Sequence, residues 1–331
     1  MQYQNKRIDI VIPWRIGDAI LNIPMLVCLK QLNEKYNDNN DIRIIAQPFL
    51  AKLYATLEIF ECKPLTVVRK IISHLKHTDI VFFTETINTN WGYTAKTKYG
   101  LTNKHKKIIK FHHELPFMNI NKFREFLPEK LISFLQDKYN LSQYSISLFG
   151  ILLELGYTAE QIIETFDFTP DCLTLNNFSG FSHPMMNEKY VVFCMEAAYG
   201  KKGDANRRWN EDYYIEIANK CFEEFNLKSV FVGINQDFKL PDKSNFIDLR
   251  KKLDLFQLAQ VLKSSVYYIG NDTAPLHIAN IMQTSSIGAY FMKHSLTDFS
   301  PLFAGLNTQV YCPQTPEEMY EKFKEKYMVV N

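Results

Sequence analysis

Short runs of apolar residues alternate along this chain with stretches whose apolar residues recur every three or four positions. In parallel α/β folds the runs form buried strands and the periodic stretches form helices. The runs predict strands at residues 8–13, 42–46, 65–68, 79–84, 190–195, 229–233, 246–249, 266–270 and 286–291. The periodicity predicts helices at 19–36, within 119–164, at 211–225, at 254–263, from about 274, and at 316–327.

The periodic pattern is lost between residues 165 and 189, where turn-forming residues such as those of Asn176-Asn177-Phe178-Ser179-Gly180 cluster. Two consecutive sets of strand–helix units on either side of this linker predict an α/β protein with two Rossmann-like domains facing a central cleft. We expect residues 1–170 to form the first domain and 171–331 the second. The final helix is a candidate to pack back on the first domain.

The composition is that of a folded protein, with 46% hydrophobic and 22% charged residues in 331. The 38 Lys and Arg against 36 Asp and Glu leave a net charge of +2, which excludes a protein that works by neutralising nucleic acid. No apolar run approaches the roughly 18–20 residues that span a bilayer, and no secretory signal pattern is present. The six scattered cysteines contain no C-x-x-C, so we expect reduced thiols and no metal site.

The first candidate for chemistry is Arg15-Ile16-Gly17-Asp18, directly after the first predicted strand. Ligands of open α/β sheets bind beyond the carboxyl ends of the strands. Gly17 lets a ligand approach the backbone there, and Asp18 supplies a carboxylate. Alternatively, Asp18 only caps the following helix, as Asp commonly does. No G-x-G-x-x-G occurs, so a dinucleotide site is not expected.

The second candidate is the segment from Gly270 to His277, again a strand, a tight turn and a helix start. Asp272 or Thr273 can cap that helix, and a proline fits its first turn. The unpaired N–H groups and the positive end of the helix dipole form an anion site suited to a diphosphate. His277 lies one turn into the helix and can face the anion. The alternative is a capped helix with a partly exposed histidine.

The third candidate is basic and lies in the loop after the first strand of the second domain, on the sheet edge where the second candidate is expected. It consists of Lys201, Lys202, Arg207, Arg208 and Trp209. The planar guanidinium of Arg matches phosphate oxygens. We therefore favour phosphate binding over a surface or packing role.

Together these three segments resemble glycosyltransferase family 9, the lipopolysaccharide heptosyltransferase family. The R-x-G-D turn and following apolar helix with Pro correspond to residues 15–24, and the basic-plus-Trp motif corresponds to residues 207–209. The hallmark G-N-D-T-G-P-x-H corresponds to residues 270–277, where Ala274 replaces the fifth residue, Gly. The resemblance covers both ends of the chain, leaves residues 85–185 without a matching motif, and implies a GT-B fold.

The resemblance also implies an inverting, metal-independent transfer of a sugar, usually a heptose from ADP-heptose, onto a lipopolysaccharide core or related cell-envelope saccharide. Asp18 would then be the base that deprotonates the acceptor hydroxyl. No cofactor is expected, because cationic side chains and N–H groups can stabilise the leaving diphosphate. The expected donor-binding residues are Arg207, Arg208, Asp272, Thr273, Ala274 and His277, and Arg15 and Gly17 are expected to contact the acceptor.

Residues 86–113 contain no Asp or Glu but six lysines, four of which we assign to acceptor binding: Lys96, Lys98, Lys104 and Lys107. Such a run is ordinarily a solvated loop. It also suits an anionic saccharide or glycolipid at the inner face of the membrane. We therefore expect a cytoplasmic protein with peripheral membrane contact and no nucleic-acid partner.

Two other functions stay open. The chain can be another GT-B enzyme that uses a different nucleotide sugar. It can also be a non-catalytic member of the family, a reading that the Ala274 substitution favours. Glu196, which follows the first strand of the second domain in place of a small residue, puts a carboxylate near the donor site and leaves the sugar open.

Overall fold

The computed structural model describes residues 4–12, 15–64, 78–84, 107–110, 126–175, 177–197 and 207–330. The chain forms two compact units, residues 1–177 and 178–331, so the first unit ends seven residues beyond its expected end at 170. The predicted strand at 65–68 lies outside the described residues. Each unit is an α/β structure built on its own sheet.

The first unit contains a five-stranded, wholly parallel sheet in the order β3-β2-β1-β4-β5. Its strands are β1 (Arg7–Val11), β2 (Asp41–Ala46), β3 (Glu61–Pro64), β4 (Ile80–Phe83) and β5 (Lys107–Lys110). Its described helices are α1 (Ile16–Ile20), α2 (Ile23–Lys35), α3 (Pro48–Leu57), α4 (Glu129–Tyr139), α5 (Gln143–Leu148), α6 (Gly150–Glu154) and α7 (Ala159–Thr165).

The single helix predicted over residues 19–36 is in fact two helices, α1 and α2. Pro24 lies in the first turn of α2. In the interior of one continuous helix its ring would clash with the preceding turn and remove a hydrogen bond, whereas in a first turn it costs nothing. The chain therefore ends α1 at Ile20 and restarts at Ile23, which makes α1 a separate helix of five residues.

A buried ion pair lies inside the first sheet. Asp9 of β1 is opposite Arg43 of β2, and its carboxylate accepts from Nε at 2.8 Å and Nη2 at 2.6 Å of that guanidinium. The hydroxyl of Thr78 donates to the second carboxylate oxygen at 3.1 Å. Asp9 has no exposed surface. The charge interrupts the apolar run of β1 without exposing that strand because the neighbouring strand neutralises it.

The second unit contains a six-stranded parallel sheet in the order β11-β10-β9-β6-β7-β8. Counted within the unit, this is the Rossmann order 3-2-1-4-5-6. The strands are β6 (Tyr190–Cys194), β7 (Lys228–Phe231), β8 (Phe246–Asp248), β9 (Tyr267–Asn271), β10 (Ser286–Tyr290) and β11 (Asn307–Tyr311). Every residue of β6, β9 and β10 is buried, as expected for central strands covered on both faces. The expected α/β class with two Rossmann-like units is confirmed.

The helices of the second unit cover its sheet and complete its core. They are α8 (Glu211–Phe225), α9 (Leu255–Lys263), α10 (Ala274–Ile281), α11 (Ser295–Asp298) and α12 (Pro316–Val330). The final helix, α12, buries Met319, Tyr320 and Phe323 in the core of this unit and packs Tyr327 edge to face against Phe225 of α8. The apolar face of this helix, which was predicted as a candidate to pack on the first domain, is thus buried in the core of the second unit.

Neither a membrane span nor a metal site stands out in the described part of the chain. No single helix there is long and apolar enough to span a membrane. The segments 143–154 and 159–165 together have that length and apolarity, but they are bent by 117° relative to each other. Within the same residues, no three His, Cys, Asp or Glu side chains are grouped so that they could hold a metal ion. All six cysteines are free.

The buried pair of the first sheet predicts a large effect on stability. Arg43→Met is expected to lower the free energy of unfolding by about 3–5 kcal/mol, because it leaves the carboxylate of Asp9 buried without a counter-charge. The double variant Asp9→Leu/Arg43→Met should be more stable than that single variant, since no isolated charge remains. Urea unfolding followed by circular dichroism measures all three free energies.

Arg7→Met is the matched control for this experiment. Arg7 pairs with Asp41 across the same two strands, but both side chains are more than a third exposed. Its loss should cost less than about 1 kcal/mol. Equal unfolding free energies for Arg43→Met and Arg7→Met would contradict the role assigned to the buried pair.

Candidate functional site

The strand order of the second sheet marks where a ligand can bind. From β6 the chain proceeds to β7 and β8 on one side, and from β9 it proceeds to β10 and β11 on the other. The loops that follow β6 and β9 therefore diverge and leave a crevice beyond the carboxyl ends of these two neighbouring strands. Both the Gly270–His277 segment and the loop that carries Arg207 and Arg208 start at this point.

One buried amide, that of Asn271 at the end of β9, joins the loops of this crevice. Its Nδ2 donates to the carbonyl oxygens of Met195 at 2.9 Å and Glu196 at 3.1 Å, directly after β6. Its Oδ1 accepts from the backbone N–H of Trp209 at 3.2 Å. The side chain of Asn271 thus sets the relative position of β6, β9 and the segment that leads into α8. The sequence pattern did not single it out, although a polar residue ending the buried strand YYIGN was the available signal.

Trp209 anchors the basic loop and does not offer its ring to a ligand. The indole is 3% exposed and packs edge to face against Tyr214. Its Nε1 donates to the carbonyl oxygen of Pro313 at 2.8 Å. With the indole fixed in the core, the two preceding arginines are held at the rim of the crevice.

The structure gives the two arginines different surroundings. Nη2 of Arg207 donates to the backbone oxygen of Asp272 at 3.0 Å and to its carboxylate at 3.2 Å. The guanidinium therefore lies beside the start of α10. Arg208 is exposed and instead lines a small pocket with Glu211 and Asp237. The sequence alone left open which of the two accompanies the Gly270–His277 segment.

The N-terminus of α10 has no side-chain cap. Thr273 is the N-cap residue and has an extended backbone, and its hydroxyl donates back to the carbonyl oxygen of Asn271 at 3.3 Å. Ala274 and Pro275 follow as the first two residues of the helix. The prediction that the side chain of Asp272 or Thr273 caps this helix is therefore wrong. A helix start without a side-chain cap keeps N–H groups and the positive end of its dipole available to an anion.

His277 lies one turn into α10 and is 4% exposed rather than partly exposed. Burial lowers the pKa of its imidazole, and the nearby Arg207 lowers it further, although Asp272 opposes both. The ring is therefore neutral at neutral pH. Its Nδ1 is buried and has no hydrogen-bond partner among the described residues. A buried polar atom of this kind costs free energy unless something pairs with it.

Two glycines are required where side chains press on the backbone. A Cβ at Gly270 would lie 2.3 Å from the hydroxyl oxygen of Tyr268. A Cβ at Gly233, whose φ is +140°, would lie 2.6 Å from the carboxylate of Glu196. That carboxylate accepts from the backbone N–H of Ile234 at 2.9 Å and from that of Asn235. Glu196 thus braces the loop after β7 with both of its oxygens.

A second feature that the sequence did not reveal is the buried guanidinium of Arg250, just after β8. It forms two bonds of 2.8 Å with the carboxylate of Asp248 and a third of 2.8 Å with the carbonyl oxygen of Phe238. The hydrogen bonds from Arg250 lower the pKa of Asp248. Arg250 of this pair also lines the small pocket that Arg208 lines.

In the first unit Asp18 lies at the equivalent position, after β1 and next to the point where the sheet order changes direction between β1 and β4. It is the third residue of α1 and is half-buried. The N-cap residue of α1 is Arg15, which is exposed and makes no side-chain cap. Asp18 is therefore not the N-cap residue of α1. Gly17, also half-buried, precedes it.

The other predicted acceptor residues are four lysines, of which the structure describes only the backbone of one. Lys96, Lys98 and Lys104 lie outside the described residues, as do Lys201 and Lys202. Lys107 lies at the start of β5, where only the backbone is described. Acceptor binding by the four lysines of the first unit and phosphate binding by Lys201 and Lys202 stay predictions.

Comparisons with known proteins agree with this geometry. A model of glycosyltransferase family 9 (heptosyltransferase) matches residues 153–327, just over half of the chain, including the whole crevice of the second unit. No curated protein matches the chain by sequence.

Solved structures match over nearly the whole chain. The Escherichia coli ADP-heptose lipopolysaccharide heptosyltransferase II superposes with a TM-score of 0.64 at 16% identity, covering 97% of this chain and 98% of that one. The E. coli heptosyltransferase WaaC with ADP gives 0.62 at 14% identity, covering 97% and 99%. The iron-containing dodecameric glycosyltransferase TibC from enterotoxigenic E. coli gives 0.54 at 9% identity, covering 95% and 66%.

At such identities the structures show the fold alone, and the fold they share is the expected GT-B fold of two Rossmann-like domains. The family match adds the activity, because it covers the segment that carries Arg207, Asp272 and His277. The chain belongs to glycosyltransferase family 9, the heptosyltransferase family, and is a glycosyltransferase.

Proposed function

We propose that the protein is an inverting glycosyltransferase that moves a heptose from ADP-heptose onto a lipopolysaccharide core or a related cell-envelope saccharide, without a metal ion or cofactor. The observation that carries this proposal is the start of α10, which lacks a side-chain cap and lies beside the guanidinium of Arg207. A helix N-terminus with an adjacent Arg suits the diphosphate of a nucleotide sugar. Membership of a heptosyltransferase family favours ADP-heptose as that sugar.

The donor diphosphate gains negative charge as it leaves, and the residues around α10 are suited to stabilise that charge. Both described bonds of Arg207 to Asp272 use Nη2, and the guanidinium carries further N–H donors that can reach an anion. The hydroxyl of Thr273 and the first N–H groups of α10 add hydrogen bonds. His277, being neutral, contributes a hydrogen bond rather than a charge. Preorganised donors of this kind lower the barrier without a metal.

Asp18 is the proposed base. In an inverting transfer the acceptor oxygen attacks the anomeric carbon as the bond from that carbon to the diphosphate breaks. The acceptor hydroxyl loses its proton during this step, and the carboxylate of Asp18 accepts it. The half-buried position of Asp18 at the carboxyl end of β1 supports this role.

The acceptor in this proposal is anionic. Arg15 and Gly17 beside Asp18 would contact it, together with Lys96, Lys98, Lys104 and Lys107 of the acid-free segment. A charged glycolipid would bring the protein to the inner face of the membrane by electrostatic attraction. The proposal therefore includes a cytoplasmic location with peripheral membrane contact.

The donor is tested by incubating the protein with ADP-heptose, UDP-hexoses and GDP-hexoses in EDTA, with heptose-deficient lipopolysaccharide as acceptor. Nucleotide release from ADP-heptose is expected to exceed release from the others by at least about 100-fold, since a site built around one nucleotide rejects the others through unpaired polar groups. Turnover of UDP-sugars alone would favour a different GT-B enzyme. ADP binding without turnover of any donor would favour a non-catalytic family member. Activity lost in EDTA and restored by a metal would contradict the metal-free step.

The base is tested with Asp18→Asn. This variant is expected to lower kcat by about 10²–10⁴-fold, because the amide cannot accept the proton, while ADP affinity measured by calorimetry stays near that of the unchanged protein. Asp41→Asn, an exposed acid of the same unit, is the control and should keep full activity. Unchanged turnover in Asp18→Asn would remove Asp18 as the base.

The diphosphate contact is tested by comparing the two arginines. Arg207→Met is expected to weaken ADP binding by about 10- to 100-fold, the loss of one charge-assisted contact, and Arg208→Met by less than about threefold. Calorimetric titration with ADP measures both dissociation constants. If Arg208→Met had the larger effect, the contact would belong to the small pocket and not to α10.

A further inference from the structure

The turn that carries Asp18 is held from its inner side by three buried side chains. The Nδ2 of Asn22 donates to the backbone oxygen of Asp18 itself at 2.8 Å. The hydroxyl of Tyr54, in α3, donates to the backbone oxygen of Ala19. The hydroxyl of Ser145, in α5, donates to the backbone oxygen of Leu21 at 2.9 Å. Asn22, Tyr54 and Ser145 have no exposed surface.

These contacts matter because α1 is too short to be stable through its own backbone hydrogen bonds. The last four carbonyl groups of a helix have no partner within the helix, and α1 has only five residues. A helix this short is unstable in isolation. The backbone N–H groups of Leu21 and Asn22 bond the carbonyl groups of Gly17 and Ala19. The buried side chains add the remaining hydrogen bonds, on which the orientation of the outer side with Asp18 depends.

The same neighbouring helix, α5, also holds the strand that leads into α1. Tyr144 precedes Ser145 and donates from its hydroxyl to the backbone oxygen of Thr84 at 3.1 Å. The Thr84 hydroxyl donates to the backbone oxygen of Val11, the last residue of β1, at 3.1 Å. Consecutive residues of α5 thus fix both the end of β1 and the end of α1.

The donor groups do not change state with pH. Burial raises the pKa of Tyr54 well above its ordinary value, so its phenol stays protonated and keeps its hydrogen bond. The Ser145 hydroxyl accepts from the Ser142 hydroxyl at 3.1 Å, which leaves its own proton for Leu21. The supports of α1 are therefore permanent parts of the fold.

We propose that Tyr54 and Ser145 are positioning residues for the carboxylate of Asp18. Their hydroxyl groups fix the short helix α1 so that this carboxylate stands where the acceptor proton leaves. The proposal rests on the proposed function, in which Asp18 is the base. A displacement of a catalytic group by about 1 Å can cost on the order of 100-fold in rate.

The test uses Tyr54→Phe and Ser145→Ala, each of which removes one hydroxyl. For each variant kcat is expected to fall by about tenfold while KM for ADP-heptose stays constant, because the base is misplaced and the donor contacts are untouched. The matched control is Tyr139→Phe, which removes a tyrosine hydroxyl that donates to the backbone oxygen of Phe166 in the same unit. It should lower thermal stability to a similar extent and leave kcat unchanged.

A double-mutant cycle separates positioning from general loosening. If Tyr54 acts through Asp18, adding Tyr54→Phe to Asp18→Asn should cause no further loss of residual turnover, since neighbours that act through one group are not additive. Amide hydrogen exchange should increase in residues 16–22 of Tyr54→Phe and not in Tyr139→Phe.

Three results would overturn the proposal. The first is a kcat for Tyr54→Phe equal to that of Tyr139→Phe. The second is a loss of turnover on adding Tyr54→Phe to Asp18→Asn as large as the loss that Tyr54→Phe causes alone. The third is unchanged amide hydrogen exchange in residues 16–22 of Tyr54→Phe. Failure of the proposed function gives a different result, in which the single variant Asp18→Asn keeps its turnover. In that case Asp18 is not the base, and Tyr54 and Ser145 are not its positioning residues.

Discussion

A backbone N–H or carbonyl group that is buried without a partner costs free energy comparable to a lost hydrogen bond. Backbone groups lose their hydrogen-bond partners wherever the chain leaves a parallel sheet or a helix ends. In this protein buried side chains bond several of these groups. Asn271 bonds the carbonyl groups after β6 and the N–H of Trp209. Tyr54 and Ser145 bond the carbonyl groups at the end of α1. Side-chain hydrogen bonds therefore connect these segments to the core.

The same constraint explains why the start of α10 suits a ligand. The buried amide of Asn271 is paired within the protein, whereas the helix N-terminus has no side-chain cap and the Nδ1 of His277 has no described partner. A diphosphate would supply the missing acceptors at the helix start. Arg207 is held beside that position by its bonds to Asp272, so little ordering is needed when an anion binds.

The motif residues divide into those that build the crevice and those suited to contact a ligand. Gly270 is required by the Tyr268 hydroxyl, Asn271 joins three segments, and Trp209 anchors the basic loop. The structure also accommodates the two residues that depart from the family pattern. Glu196 is engaged with two N–H groups of the loop after β7. Ala274 is the first residue of α10, and alanine is the best helix former, so the substitution leaves the helix start intact.

The sequence determined the α/β class, the two units, nearly all central strands and the two segments at the switch points, because periodicity and turn residues act over a few neighbouring positions. Only the tertiary structure decided the rest. The edge strands β3 and β5 of the first sheet and β11 of the second were not predicted, and neither β3 nor β11 has a fully buried pattern. The different surroundings of Arg207 and Arg208 depend on which segments of the chain lie next to each side chain. The supports of α1 come from residues 35 and 124 positions away, a distance over which no local pattern carries information.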